Sequence, residues 1–268
     1  MLENTDFLLG IMPEIEFLVK ATEFMNRILA ANCKLCIPEI IEDENCFTAT
    51  GLYNPCVALK VDDDIITNDI SFDKDNAMIY VLTGPNRGGK SVITCAIGLA
   101  QALAQLGMLT PAESMKLSVT DGIFTHFPTG ADDTIDKGRL GEECARLSEI
   151  FDAITSKSLV LLDESLSSTG SFEASYIAAE VLAGLSQVKC RCLFSTHLHE
   201  LANEIDAINS RSRENGGAMI DTLVAGIEEG KRSFKIVRAK PDGKSYARDI
   251  AEKYGLSYDS IVRKINSK

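Results

Sequence analysis

Three short runs in this 268-residue chain carry residue types that could do chemistry together. The first is Gly84-Pro85-Asn86-Arg87-Gly88-Gly89-Lys90-Ser91, followed by Val92, and it fits the pattern G-x-x-x-x-G-K-[S/T]. Glycines there let backbone N–H groups turn inward around phosphate oxygens. Lys90 can reach β- and γ-phosphates, the Ser91 hydroxyl can ligate Mg²⁺, and a following helix adds its N-terminal dipole. The second run is Leu159 to Leu162, an apolar strand that delivers Asp163 and then Glu164. Asp163 suits Mg²⁺ alongside Ser91, and Glu164 suits polarising an attacking water. The third run is Ser195-Thr196-His197, where a histidine just past a strand can sense a γ-phosphate and help place water. Each run alone has a bland explanation: a glycine turn, a strand ending in a polar turn, a structural histidine. Together they specify a site for ATP or ADP with Mg²⁺, with Lys90, Glu164 and His197 at the reacting centre.

These residues need elements to hold them. Apolar residues 78–82 read as a buried strand, followed by the glycine-rich turn and a long helix. Further strands are expected at 116–119, 122–127, 158–162 and 190–195, and helices at 142–154, 172–185 and 199–205. Residues 218–238 read as a hairpin turning at Glu228-Glu229-Gly230-Lys231, and two short helices close the chain around 246–254 and 258–265. Strands alternating with helices mean an α/β sheet with parallel strands in its middle. Upstream, residues 13–31 open at Pro13 and place Ile15, Leu18, Val19, Met25, Ile28 and Leu29 at helical spacing, an amphipathic helix that must pack on the main body or on a neighbour. Residues 42–76 are acidic and read as small strands and turns, with Asp62-Asp63-Asp64 a solvated turn. No internal repeat is evident.

Composition narrows the classes. A 45% apolar and 25% charged chain is that of a folded globular protein. Its 39 acidic against 27 basic side chains leave a net charge of −12, which argues against a free-standing nucleic-acid binder. The charge is uneven: residues 1–75 carry −10, residues 76–230 carry −9, and residues 231–268 carry +7, so the basic end should face something negative. No signal-peptide pattern opens the chain. The apolar run 92–109 is broken by Gln101 and Gln105, which excludes it as a membrane span. The eight cysteines read as reduced thiols, with Cys190 and Cys192 in the core. Cys33-x-x-Cys36 with Cys46 and Cys56 lacks the later spacing of a zinc ribbon.

In combination these motifs resemble the ATPase domain of the MutS family of DNA mismatch-repair proteins. The resemblance runs through Thr83 to Ser91, Pro111-Ala112, Ile123-Phe124-Thr125 before Gly130-Ala131-Asp132-Asp133, Asp163-Glu164 with Thr169, Thr196-His197, and Lys244-Ser245-Tyr246 before Tyr254-Gly255-Leu256. Tyr53-Asn54-Pro55 and Thr67-Asn68-Asp69 match the segment beside the nucleotide base, so Pro55 and Asn68 join the cofactor-binding set. The resemblance implies an ABC-like P-loop ATPase, with a central, mostly parallel sheet flanked by helices. Residues 1–50 would be a helical connector, and residues 51–268 the ATPase domain, including a helical dimerisation segment at 244–268. It implies a homodimer in which a signature segment of one subunit meets the ATP of the other. The segment here is Ile135-Asp136-Lys137-Gly138-Arg139-Leu140-Gly141-Glu142-Glu143, departing from the family's Ser- and Thr-containing pattern. The expected trans residues are Lys137, Gly138, Arg139 and Glu143, with Lys137 or Arg139 on the partner's γ-phosphate. Ser165-Leu166-Ser167-Ser168 also departs from the family and marks a divergent branch. The expected function is ATP binding and hydrolysis that switches a DNA-bound clamp, with DNA contacted only through domains absent from this chain, no membrane contact, and a cytoplasmic location, nucleoid-associated if bacterial. The alternatives are an ATP-gated dimerisation module with little turnover and another ABC-class ATPase, although the latter's L-S-G-G-Q-like signature is not found.

Overall fold

The computed structural model describes residues 3–42, 44–61, 64–128, 138–228, 231–240 and 254–266. In chain order the elements are α1 (Glu3–Ala30), β1 (Glu39–Ile40), β2 (Phe47–Leu52), α2 (Pro55–Ala58), β3 (Asn68–Phe72), β4 (Ile79–Thr83), α3 (Lys90–Gln105), β5 (Ser114–Leu117), β6 (Ile123–His126), α4 (Arg139–Ala153), β7 (Leu159–Asp163), α5 (Ser171–Val188), β8 (Arg191–Ser195), α6 (His199–Glu214), β9 (Ile220–Glu228), β10 (Lys231–Arg238) and α7 (Tyr258–Asn266). They form a mixed α/β fold with two sheets.

The six-stranded sheet runs β10-β9-β4-β8-β7-β6. Its strands from β9 to β6 are parallel, and β10 pairs antiparallel with β9. Every residue of β4, β7 and β8 is buried, which is why the middles of these strands read as apolar runs. Alternation along the strands divides two cores. Tyr80, Leu82, Leu159, Leu161 and Leu193 face α3 and the second sheet. Ile79, Val81, Val160, Leu162, Cys192 and Phe194 face α5 and α6.

The second sheet, β1-β5-β2-β3, is antiparallel except for β1 with β5. Helix α3 is sandwiched between the two sheets. Its small residues Ala96, Ala100 and Ala104 permit this closeness, and at Gly98 a Cβ would stand 2.7 Å from Leu161 Cδ1. Phe72 joins the sheets by edge-to-face contacts with Phe47 at 6.1 Å and Tyr80 at 5.3 Å.

Several expectations change here. Helix α1 starts at Glu3, with Pro13 inside it rather than at its head. Proline removes one N–H and orphans a carbonyl one turn back, at Leu9, which is 67% exposed and so open to solvent. Residues 9–20 of this helix are exposed, and its last turns pack, through Phe24 and Ile28, on Tyr53 and Ala58. Helix α6 continues to Glu214, well past residue 205, and α4 begins at Arg139 rather than 142. The expected strand 116–119 is Ser114–Leu117 and belongs to the second sheet, not the first. Strand β2 spans the division drawn at residue 50. The expected helix at 246–254 lies outside the described residues except for its last one, Tyr254, which sits in a turn. Among the described residues, no helix is long and apolar enough to cross a membrane.

Candidate functional site

The C-terminal ends of β4, β7 and β8 meet beside the N-terminus of α3, and the loop 84–89 bridges β4 to that helix. Its backbone needs glycine at two points. Gly84 has φ 141° and Gly89 has φ 93°, and a Cβ on Gly84 would stand 2.6 Å from Ala225 Cβ in β9. Gly84 and Pro85 are buried, whereas Asn86 and Arg87 form the exposed tip. Gly88 N–H closes the turn onto the Pro85 carbonyl at 3.0 Å.

Lys90 starts α3 and folds back under this loop, where it is buried. Its Nζ donates to the carbonyls of Gly84 at 3.1 Å and Pro85 at 3.2 Å. Burial lowers its pKa, while Glu164 and Asp163 oppose that shift. A desolvated ammonium held only by two neutral carbonyls is a strong partner for an anion.

Opposite stands Asp163, the last residue of β7. Burial raises its pKa, with Glu164 adding to the rise; hydrogen bonds from Ser91 and Ser195 and the charge of Lys90 work the other way. Its Oδ1 is buried and has no hydrogen-bond partner, and the Thr83 hydroxyl at the end of β4 is in the same condition. A carboxylate oxygen orphaned beside a serine hydroxyl fits a divalent cation, which would relieve the cost of its burial. Behind it, Thr94 Oγ1 and Ser195 Oγ lie 2.8 Å apart, and Thr94 donates to the Lys90 carbonyl, so α3 is pinned to β8 at this level. Glu164 takes a left-handed backbone, φ 48°, and donates its N–H to the Ser195 carbonyl at 2.8 Å.

A cavity of about 570 Å³ opens in front of Lys90, Ser91, Val92 and Glu164. Its far wall is apolar: Leu52, Val57, Val61, Ile65, Ile66 and Phe234. Asn68 lines it too, but both ends of its amide are committed. Its Nδ2 donates to the Phe234 carbonyl at 3.2 Å, and its Oδ1 accepts from Ile236 N–H at 2.6 Å. These bonds hold the β10 bulge in which Phe234 has φ 55° and leans over Gly89, its ring 3.6 Å from where a Cβ would be. Pro55 is the buried first residue of α2, and the wall at that point is Asn54 and Val57. Asn54 caps α2 and also donates to the Val92 carbonyl at 3.2 Å.

The structure thus brings together residues 84–92, Asn68, Asp163 and Glu164. His197 is exposed just beyond β8, outside the cavity wall. Gly138 precedes α4, Arg139 opens it, both are exposed, and neither reaches the cavity; Glu143 accepts a hydrogen bond from Ser168 at 3.2 Å. Lys137 lies outside the described residues. Sequence reasoning missed Phe234, Thr94 and the cap at Asn54. Only Asn54, an Asn-Pro pair opening a helix, carried a local signal.

Residues 80–264 match a family model described as MutS domain V. The chain is 40% identical over 218 residues to the DNA mismatch repair protein MutS of Prochlorococcus marinus (strain MIT 9312), covering 78% of this chain and 23% of that protein. It is 31% identical over 233 residues to the protein of the same name from Roseiflexus castenholzii (strain DSM 13941 / HLO8), covering 84% and 20%. With the one from Brevibacillus brevis (strain 47 / JCM 6285 / NBRC 100599) it shares 29% over 222 residues, covering 80% and 24%. The chain spans less than a quarter of the length of these three relatives.

Proposed function

Since this chain belongs to the MutS family, matching its domain V over residues 80–264, we propose that it is an ABC-like P-loop ATPase unit that binds ATP with Mg²⁺ and hydrolyses it to ADP and phosphate. The observation that carries this reading is the buried Lys90 ammonium under a glycine loop, facing a buried carboxylate with an unpartnered oxygen. In the chemistry proposed, Lys90 exchanges its bonds to Gly84 and Pro85 for phosphate oxygens, and the N–H groups at the start of α3 add theirs. Ser91 and Asp163 would hold Mg²⁺, which when bound neutralises charge between the terminal phosphates. Glu164 orients and polarises water for attack on the γ-phosphorus. The apolar wall ending in Phe234 accommodates the base, and Asn68 keeps Phe234 in place. His197, exposed just beyond β8, is assigned to sensing the γ-phosphate.

We assign Lys137, Gly138, Arg139 and Glu143 to the second half of a composite site in a homodimer. Helix α1 serves as the helical connector, and residues 244–268 as the dimerisation segment. The relatives are named for DNA mismatch repair; with a net charge of −12, this chain is assigned the nucleotide-driven part of that process and not the contact with DNA. The proposed setting is cytoplasmic.

The test is ATP turnover against protein concentration, for the native chain, Glu164→Gln, and Arg139→Ala with Lys137→Ala. Turnover per chain that rises with concentration, vanishes in Glu164→Gln and falls in the double variant supports a composite enzyme. Tight Mg²⁺-dependent ATP binding without turnover would replace it with a nucleotide-gated dimerisation module. Turnover unaffected by Glu164→Gln would sink the assignment of the water-activating residue.

A further inference from the structure

His126 ends β6 one strand away from the acidic pair, and the chemistry proposed above leaves it unused. It is 2% exposed. Its Nδ1 lies 2.7 Å from the hydroxyl of Ser165, itself buried and the residue directly after Glu164. The same hydroxyl also reaches the His126 carbonyl at 3.4 Å. The other ring nitrogen, Nε2, is buried without a hydrogen-bond partner of its own. Around the ring stand the Arg146 side chain and the main chain of Glu143, both on α4.

Ser165 sits between two non-glycine residues with left-handed backbone, Glu164 at φ 48° and Leu166 at φ 64°. Such a pair persists only where the surroundings over-determine it. Here Glu164 N–H is held by the Ser195 carbonyl, the Leu166 side chain is fully buried against the α5 and α6 core, and Ser165 is held by His126. A second tether, Ser168 to Glu143 at 3.2 Å, joins the same loop to the same turn of α4.

We propose that His126 is a positioning residue that sets the backbone of Glu164 through Ser165 and registers it against the start of α4. A shift of α4 would then reach the carboxylate through a buried ring rather than through solvent. The purpose of that positioning rests on the reading of Glu164 as the water-activating group; the mechanical link does not.

The experiment uses the full chain with His126→Ala, His126→Asn, Ser165→Ala and the double alanine variant. Steady-state ATP turnover is measured together with amide hydrogen exchange. In His126→Ala, exchange is expected to rise in residues 164–168 and 139–146 while β4 and β8 stay protected. kcat should fall about tenfold or more with KM within about twofold, the signature of a misplaced group rather than a lost binding contact. Ser165→Ala should match it, and the double variant should be no worse than either single one. His126→Asn keeps an amide able to bond Ser165 and should recover most of the turnover. Unchanged exchange in residues 164–168 would overturn the link, as would loss of protection throughout the sheet with no recovery in His126→Asn. If the native chain fails to hydrolyse ATP, the proposed function fails, and the exchange pattern still decides the role of His126.

Discussion

The guanidinium of Arg191 donates to the Cys46 carbonyl at 2.9 Å, across the seam between the two sheets. Arg191 opens β8 and is fully buried, and its other acceptors are Gln101 Oε1 at 3.3 Å and the carbonyls of Ser118 at 3.4 Å and Lys157 at 3.4 Å. No carboxylate is among these acceptors, and burial lowers its pKa to about 10. Its planar fork supplies the buried Gln101 Oε1 and adds a charged donor to main-chain oxygens that Ser118, Gln101 and Thr120 also reach. Arg191→Met should therefore cost about 2–3 kcal/mol. Arg191→Lys should recover only part of this, because one ammonium cannot span the same acceptors. Urea denaturation reads both, and a midpoint unchanged in Arg191→Met would show that water replaces the guanidinium freely.

Gly84 is constrained twice, by its φ of 141° and by Ala225. Gly84→Ala should destabilise the chain by about 2–4 kcal/mol and weaken nucleotide binding. Adding Ala225→Gly removes the steric part and leaves a backbone cost of about 1–2 kcal/mol. Thermal melts of the single and double variants separate the two contributions. A double variant no better than Gly84→Ala would mean the steric contact is absorbed elsewhere.

Asn68→Ala removes the clamp on Phe234 and should cost about 1–2 kcal/mol. Its diagnostic effect is on affinity for adenosine nucleotides, expected to drop about fivefold to tenfold as the aromatic wall loosens. Binding of inorganic triphosphate should be spared, since the loop 84–91 is untouched. Equal losses for both ligands, measured by titration calorimetry, would contradict this division of the cavity.

Much of the site's frame was legible in advance because fully buried parallel strands leave continuous apolar runs. The middles of β4, β7 and β8 are such runs, and the glycine loop and the Asp-Glu pair mark where two of these strands end. The second sheet was legible only as small strands within 42–76 and a strand at 116–119, not as a sheet of its own. β1 has only two residues, β3 alternates in the run Asn68-Asp69-Ile70-Ser71-Phe72 without a strong apolar face, and their pairing is long-range. The clamp from Asn68 to Phe234 spans 166 positions, and the His126–Ser165 pair joins residues 39 apart. Contacts of that kind have no local period. Helix α1 was cut short because proline usually opens a helix, and its exposure at residue 13 removes the usual penalty.

Asp163 is more readily protonated in the folded chain than in the unfolded one. Its contribution is therefore favourable below the unfolded pKa near 3.9 and is lost as pH rises, so at neutral pH the ionised group opposes folding. Asp163→Asn should raise the urea midpoint at pH 7 while abolishing Mg²⁺-dependent nucleotide binding. A variant that is less stable at pH 7 would show that the ionised carboxylate is well paired.

His126 behaves oppositely. Burial, helped by Arg146, pushes its pKa down to about 4, against about 6.5 unfolded. The native state then binds fewer protons between those values, so stability is complete above about pH 6.5 and falls as pH drops toward 4. The loss should be about 2–3 kcal/mol over that window. His126→Asn removes this part of the slope, which urea midpoints at pH 7 and pH 5 will show by difference.

The strand order β9-β4-β8 also has a consequence in time. Ile79 pairs with Cys192 on one side and Ile220 on the other, both made long after it. At about 5–20 residues per second, the interval between Ile79 and Ile220 lasts on the order of ten seconds. The strand that carries the glycine loop is an apolar ribbon with two open edges until β8 emerges, and with one until β9 does. The nascent chain should depend on chaperones most strongly between the emergence of β4 and that of β9, and chains halted before residue 220 should aggregate rather than fold.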